Sequence, residues 1–178
     1  MAEEIVFKGK IIEVVRDGKR EFARRSPGTR LIIVDEQKKS ILLTKEYRQE
    51  LGGWDYRLPG GKVFDTLAEY NEYLSSGKDI AEAARRAAVK ETKEETGIKV
   101  KNIEFFHRSI CGATVIWDLY YFVVDRFEVL DSQKLEEGEQ IQTSWVNLDQ
   151  AKEICLSGKM QEDRSAVVLL RFIHQKLL

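Results

Sequence analysis

The chain has 178 residues, 43% of them hydrophobic and 33% charged, enough apolar material for one packed domain and a composition that excludes a disordered segment. Its formal net charge is only −1, so no global field recruits duplex nucleic acid or an anionic membrane, and a highly charged ligand needs a local site. No apolar run approaches the roughly 18 residues of a membrane span, and the opening MAEEIVFKGK lacks the apolar core of a secretory signal, so a cytoplasmic protein is expected.

In chain order, EIVFKGKIIEVVRDGKREFARRS places β-branched and aromatic residues on both sides of Asp17-Gly18, a dipeptide that favours a tight turn, so residues 1–26 read as an N-terminal β-hairpin. RLIIVDEQKKSILLTKEYR gives two further apolar strands around a polar turn at Asp35 to Lys39. In WDYRLPGGKV a strand ends at Leu58. Pro59 breaks it, and Gly60-Gly61 permits positive φ and close backbone approach. Residues 62–81 carry a helical pattern of their own, with Leu67, Tyr70 and Leu74 in phase, Thr66 and Glu69 spaced as a capping box, and a Ser-Ser-Gly ending. The next helix is expected from Asp79 to Thr96, capped by Asp79 with Glu82 and stopped by Gly97 in the left-handed conformation. TVIWDLYYFVVDRF is apolar for so long that it reads as a central strand covered on both faces, and QTSWVNL supplies another. Leu148–Leu156 and Arg164–Leu178 read as helices, the second with Val167, Leu170, Ile173 and Leu177 at helical spacing. The sum is a mixed α/β fold, a sheet sandwiched between helices in a single domain spanning 1–178. Cys111 and Cys155 are far apart and His107 and His174 are scattered, which favours reduced thiols and excludes a zinc or histidine cluster.

The chemistry concentrates in KETKEETG, Lys90 to Gly97. At 100° per residue Glu91, Glu94 and Glu95 share an arc of roughly 100° and converge on one face. Glutamates and lysines three and four apart also stabilise exposed helices by a few tenths of a kcal/mol per pair, so a solvated surface face is the plain alternative. Against it, Glu91 and Glu95 are like charges at i,i+4, a repulsion that a cation relieves. Clustered carboxylate oxygens suit hard ions such as Mg²⁺ or Mn²⁺.

A Pro-Gly-Gly turn alone is only a loop. Together with AAVKETKEETGI, however, it resembles the signature of the Nudix hydrolases, which runs Gly, five residues, Glu, seven residues, Arg-Glu, apolar, any, Glu-Glu, any, Gly, apolar. Glu91, Glu94, Glu95, Gly97 and Ile98 fall on that pattern, and Glu82 has the spacing of its isolated first glutamate. The N-terminal hairpin, LLTKEYRQE, SICGATVIWDLYYF and EEGEQIQTSWVNLDQA are similar to the ADP-ribose pyrophosphatase branch. The resemblance implies a Nudix-type α/β/α sandwich, Mg²⁺ or Mn²⁺, and hydrolysis at the pyrophosphate of a nucleoside diphosphate linked to another group, of ADP-ribose or nucleotide-sugar type. It implies metal ligation by Glu91, Glu94, Glu95 and the Gly60 carbonyl, with Glu95 and Glu91 catalytic. The assisting base would come from the box or from a later loop, where Glu139 is the candidate and Glu137 the next. Arg57, Gly61 and Trp54 become the substrate-binding candidates, and pairing through the hairpin implies a homodimer.

The departures are specific. Lys90 replaces the pattern's arginine, a point charge in place of a bidentate fork, and Thr92 stands at its apolar position. Residues 62–81 fill a space where the pattern has five residues, an insertion that reads as a lid, a dimer contact or a plain surface helix. Nine residues before Glu91, Glu82 falls about 180° around an unbroken helix. Arg57 stands where the branch commonly carries glutamate, and Trp54 and Tyr56 read either as a base-stacking pair or as core. These departures keep two other readings open: a Nudix-fold nucleotide-binding or sensor module of weak activity, and a structural domain whose charged helix only solvates.

Overall fold

A computed structural model describes residues 3–130, 132–135 and 138–176. The N-terminal region is an antiparallel meander of β1 (Glu4–Lys8), β2 (Glu13–Asp17) and β3 (Arg20–Arg24), with its second turn at Asp17-Gly18. There follow β4 (Gly28–Asp35), β5 (Ser40–Arg48), β6 (Gly53–Arg57), α1 (Leu67–Ser75), α2 (Ile80–Thr96), β7 (Ile98–Ser109), β8 (Val115–Ile116), β9 (Leu119–Val129), β10 (Ile141–Asn147), α3 (Leu148–Leu156) and α4 (Asp163–Lys176). The main sheet has the order β10-β5-β4-β9-β7, with β6 also pairing with β5, and the smaller sheet is β1-β2-β3-β8. Among the described residues, no helix is long and apolar enough to cross a membrane.

Strands β4 and β9 run parallel through the middle of the main sheet, and their side chains alternate between two cores. Leu31, Ile33, Tyr120, Phe122 and Val124 point to the layer where α2 lays down Ala84 and Ala88. Ile32, Val34, Leu119 and Tyr121 point to the other, which α3 and α4 fill with Ile154, Leu169, Phe172 and Ile173. Both faces being covered, β4 reads as an unbroken apolar run rather than an alternating one. The result is an α/β/α sandwich.

Three details differ from the sequence expectations. The long run TVIWDLYYFVVDRF is two strands: Val115–Ile116 pair with Ala23–Arg24 in the small sheet, and the chain steps across at Trp117-Asp118 before β9 begins. The step is polar, because the Asp118 carboxylate is held by Arg108 Nε at 2.7 Å. Strand β7, directly after α2, was not expected; its pairing with β9 is interrupted by register shifts, which blur the period-2 signal. At the start of α2, Asp79 caps the Ala81 N–H at 2.9 Å, and the capping box with Glu82 does not form.

Helix α1 within the insertion begins with the complete Thr66–Glu69 capping box. It buries Leu67 and Tyr70 and stacks Tyr70 on Phe64. Asn71 reaches the small sheet, where its amide donates to Glu13 Oε2 at 3.1 Å while Arg24 Nε donates to Glu13 Oε1 at 2.8 Å. Glu13 is wholly buried.

Candidate active site

Pro59 ends β6 and turns the chain beneath the start of β4. The backbone seals the contact: the Leu31 N–H donates to the Pro59 carbonyl at 2.8 Å and the Thr29 N–H to the Gly61 carbonyl at 2.9 Å. Backbone contact and a positive φ require glycine at position 60, and a side chain at 61 would displace the Glu91 carboxylate. A Cβ on Gly60, whose φ is 145°, would stand 2.1 Å from the Thr29 carbonyl oxygen, and one on Gly61 would stand 2.4 Å from the Glu91 carboxylate. The turn is thus pressed between β4 and α2, and the Gly60 N–H donates to Glu95 Oε2 at 2.7 Å.

The helical phase does what the spacing promised. Glu91, Glu94 and Glu95 line one side of a cleft of about 540 Å³, together with Gly60 and Gly61. Glu95 is the deepest, 6% exposed, whereas Glu91 and Glu94 are half-buried. From β5, Glu46 joins them, accepting from Thr44 Oγ1 at 3.0 Å and lying 3.5 Å from Arg48 and 3.9 Å from Arg57. Burial, then the charge of Glu46, and to a lesser degree that of Glu91, push the Glu95 carboxyl well above the ordinary glutamate value, against the Gly60 hydrogen bond and Arg30, which favour the ionised form. The acidic side of the cleft is therefore electrostatically overloaded.

The NUDIX domain profile matches residues 24–169. The chain belongs to the NUDIX family. Among its curated relatives, the GDP-mannose pyrophosphatase of Enterobacter sp. (strain 638) is 27% identical over 167 residues, 91% of this chain and 80% of that one. The CMP-5'-(N-acetyl-N-hydroxy-3-aminopropyl)phosphonate hydrolase of Streptomyces rubellomurinus is 27% identical over 146 residues, 82% of this chain and 64% of that one. Among solved structures, an ADP compounds hydrolase superposes with a TM-score of 0.67 at 15% identity, over 100% of this chain and 95% of the other, a likeness of fold.

The donor set of this NUDIX cleft fits a hard divalent cation. It offers oxygen only, and Glu46 and Glu91 add their charges to burial in disfavouring ionisation of Glu95. Among the described residues, no three acidic, histidine or cysteine side chains are clustered tightly enough to hold an ion between them as they stand. That suits Mg²⁺, which takes one or two carboxylates and completes its shell with water and substrate phosphate.

The other expected residues separate clearly. Arg57 lines the cleft, its Nε donating to the buried Asp55 carboxylate at 2.9 Å, and Glu139 lies on the exposed rim. Glu137 lies outside the described residues. Lys90 is exposed and takes no part in the cleft wall, but pairs with the cleft residue Glu94 at 3.6 Å. Glu82 is exposed in the first turn of α2 and takes no part in the cleft wall. Trp54 also stands outside the wall, edge-on to Tyr47, which does line it, with ring centroids 5.9 Å apart; Tyr56 packs against the core. Sequence reasoning passed over Glu46, Arg25, Arg30 and Trp117, all of which line the cleft. For Glu46 a signal existed: strand alternation puts Thr44, Glu46 and Arg48 on one face of β5.

Proposed function

We propose that this NUDIX hydrolase takes a nucleoside diphosphate joined to a sugar or a similar polar group, holds it with a divalent cation at Glu91, Glu94 and Glu95, and releases a nucleoside monophosphate and the phosphorylated second half. Its activity is hydrolysis at the pyrophosphate: one water adds to a phosphorus and one P–O bond of the bridge breaks. The observation that carries the reading is the convergence of the three box glutamates and the Gly60-Gly61 turn on one cleft of about 540 Å³, of ordinary size for a small-molecule site.

The division of labour follows from the geometry. Glu91, Glu94 and Glu95 would hold the cation, which would supply charge neutralisation at the diphosphate and a more acidic water. Gly60 fixes Glu95 through its amide and leaves its carbonyl for the same site, while Gly61 lets the Glu91 carboxylate approach the backbone. Arg57, oriented by Asp55, presents a guanidinium to the phosphates. Glu139, on the exposed rim loop that lines the cleft, is the candidate base. The proposal includes a cytoplasmic setting, supported by two free thiols. It also includes a homodimer paired through the N-terminal strands. The edge strand β1 and its connection expose Ile5, Phe7 and Ile11 at 45, 57 and 58%, apolar surface of the kind that interfaces cover.

The test is mononucleotide release from a panel of ADP-ribose, nucleotide sugars, dinucleotides and nucleoside triphosphates, with Mg²⁺ or Mn²⁺ and with chelator, for wild type and Glu95→Gln. Turnover of the sugar-linked diphosphates that chelator and mutation both remove is expected. Nucleotide binding without turnover across the panel would replace the enzyme by a sensor. Light scattering at micromolar concentration should give twice the chain mass; a monomer removes the dimer.

A further inference from the structure

Trp117, in the step between β8 and β9, carries two guanidinium groups: the Cζ atoms of Arg25 and Arg164 each lie 4.4 Å from its ring centroid. The arrangement is built rather than loose. Arg164 also donates to the Trp117 carbonyl at 2.8 Å, and the Arg25 N–H donates to the Ile116 carbonyl at 3.2 Å. Occupied in this way, the indole supports cations and is not an open platform for a nucleobase. Close by, the buried Arg30 donates to Glu162 Oε2 at 3.1 Å, and Arg164 lies 3.6 Å from the same carboxylate. Arg30 and Arg164 therefore share one acid.

Arg25 is the residue left over. Among the described residues its side chain makes no ion pair and no hydrogen bond, and its Nε is buried without a partner. Burial, then the like charges of Arg30 and Arg164, lower its pKa. Cation–π contact offsets only part of the cost of withdrawing a charge from water without a counter-ion. Arg25 and Trp117 nevertheless line the cleft, so an anion there completes the set. Arg25 is held on the cleft wall by Trp117, whereas Glu91, Glu94 and Glu95 reach the cleft from α2. Arg48 and Arg57, by contrast, have their own acids in Glu50 and Asp55.

We propose that Arg25, mounted on Trp117 with Arg30 beside it, is a second oxyanion subsite of the cleft, distinct from the place of the scissile diphosphate, and that the preferred substrate carries a further carboxylate or phosphate on one of its two halves. This rests on the hydrolase reading above and narrows its substrate class. A guanidinium fork meets either oxyanion in two parallel hydrogen bonds.

The experiment compares kcat/KM within matched pairs that share their diphosphate: UDP-glucose against UDP-glucuronate for the carboxylate, and ADP-ribose against its 2'-phosphate for the phosphate. Wild type should favour the member with the extra charge roughly tenfold or more in one pair, the worth of a charged hydrogen bond, and that pair identifies the oxyanion. Arg25→Gln should bring the ratio within about twofold of unity, and Arg25→Lys should retain part of it; thermal melts establish that both variants fold. A wild type indifferent in both pairs overturns the inference, as does an Arg25→Gln enzyme that keeps the ratio while losing rate on every compound, since Arg25 would then serve the shared diphosphate. If no compound is turned over, the hydrolase reading fails separately, and the same pairs are read by calorimetric Kd, where equal affinities overturn the subsite.

Discussion

The two sides of the cleft are opposite in charge and alike in predicament. On one, burial and the neighbouring charges of Glu46 and Glu91 hold the Glu95 carboxyl well above its ordinary range; on the other, Arg25 and Arg30 line the wall with Arg164 behind them on Trp117, and Glu162 pairs with Arg30 and Arg164 while Arg25 has no acid among the described residues. Each is a cluster of like charges that folding alone does not favour, and each is relieved by a ligand of the opposite sign. A cation bound with an anionic substrate answers both sides together. The difference lies in construction. The acidic side comes largely from one helix and one glycine turn, while the basic side is assembled from residues 25–30, 117 and 162–164.

That difference decides what the sequence discloses. Helical phase is local, so Glu91, Glu94 and Glu95 could be placed on one face from their spacing, and the Gly60-Gly61 turn could be recognised from its chemistry. The Thr66 cap, the extent of α3 and the start of α4 were legible for the same reason, the expected end of α4 at Leu177 and Leu178 lying outside the described residues. Trp117 was hidden because the apolar run around it conceals a step between two sheets, and Arg25 and Arg164 meet on it only through tertiary packing. Strand β7 was hidden by its register shifts. Glu82 separates motif spacing from helical phase: its distance along the chain matches the pattern, but the unbroken helix carries it out of the cleft wall, as the offset of about 180° implied.

Removing one charge from each side tests whether the comparison holds. The largest effect is expected for Glu95→Gln, which should lower kcat roughly 10²–10³-fold, the scale of losing one group aimed at transition-state charge. It should also abolish the rise in melting temperature expected of the wild type on adding Mg²⁺. On the basic side, Glu162→Gln leaves Arg30 and Arg164 without their acid in a mostly buried pair, and chemical denaturation should show a loss of about 3 kcal/mol.

The two sides should also answer pH with opposite signs. Burial favours the neutral form of Glu162, but Arg30, Ser165 and Arg164 outweigh it and hold the pKa below the ordinary value of 4.5. The stability this contributes is complete above that value and is lost as pH falls through the lowered one, so Glu162→Gln should flatten the acid limb of a stability profile. Glu95 is raised instead, so in chelator its ionisation costs stability as pH climbs from about 4.5 through the folded value, and Glu95→Gln should gain on the wild type over that rise. A wild-type profile in chelator that matches Glu95→Gln at every pH would mean that the acidic side is not overloaded. The smallest effect is expected at Lys90, whose pair with Glu94 is solvent-exposed: Lys90→Arg, restoring the pattern's residue, should alter stability by a few tenths of a kcal/mol.

The hydrogen bond from Asn71 to Glu13 has a consequence for how this chain can change length. The insertion between the glycine turn and α2 looks removable in sequence, an extra helix where the pattern has five residues. Yet Glu13 divides its buried carboxylate between Arg24 and Asn71. Excising the segment would strip one oxygen of its donor and uncover the apolar contacts of Leu67 and Tyr70. The small sheet has thus become dependent on the added segment, and a version trimmed back to the shorter pattern would need a compensating substitution at Glu13 before it folded as well.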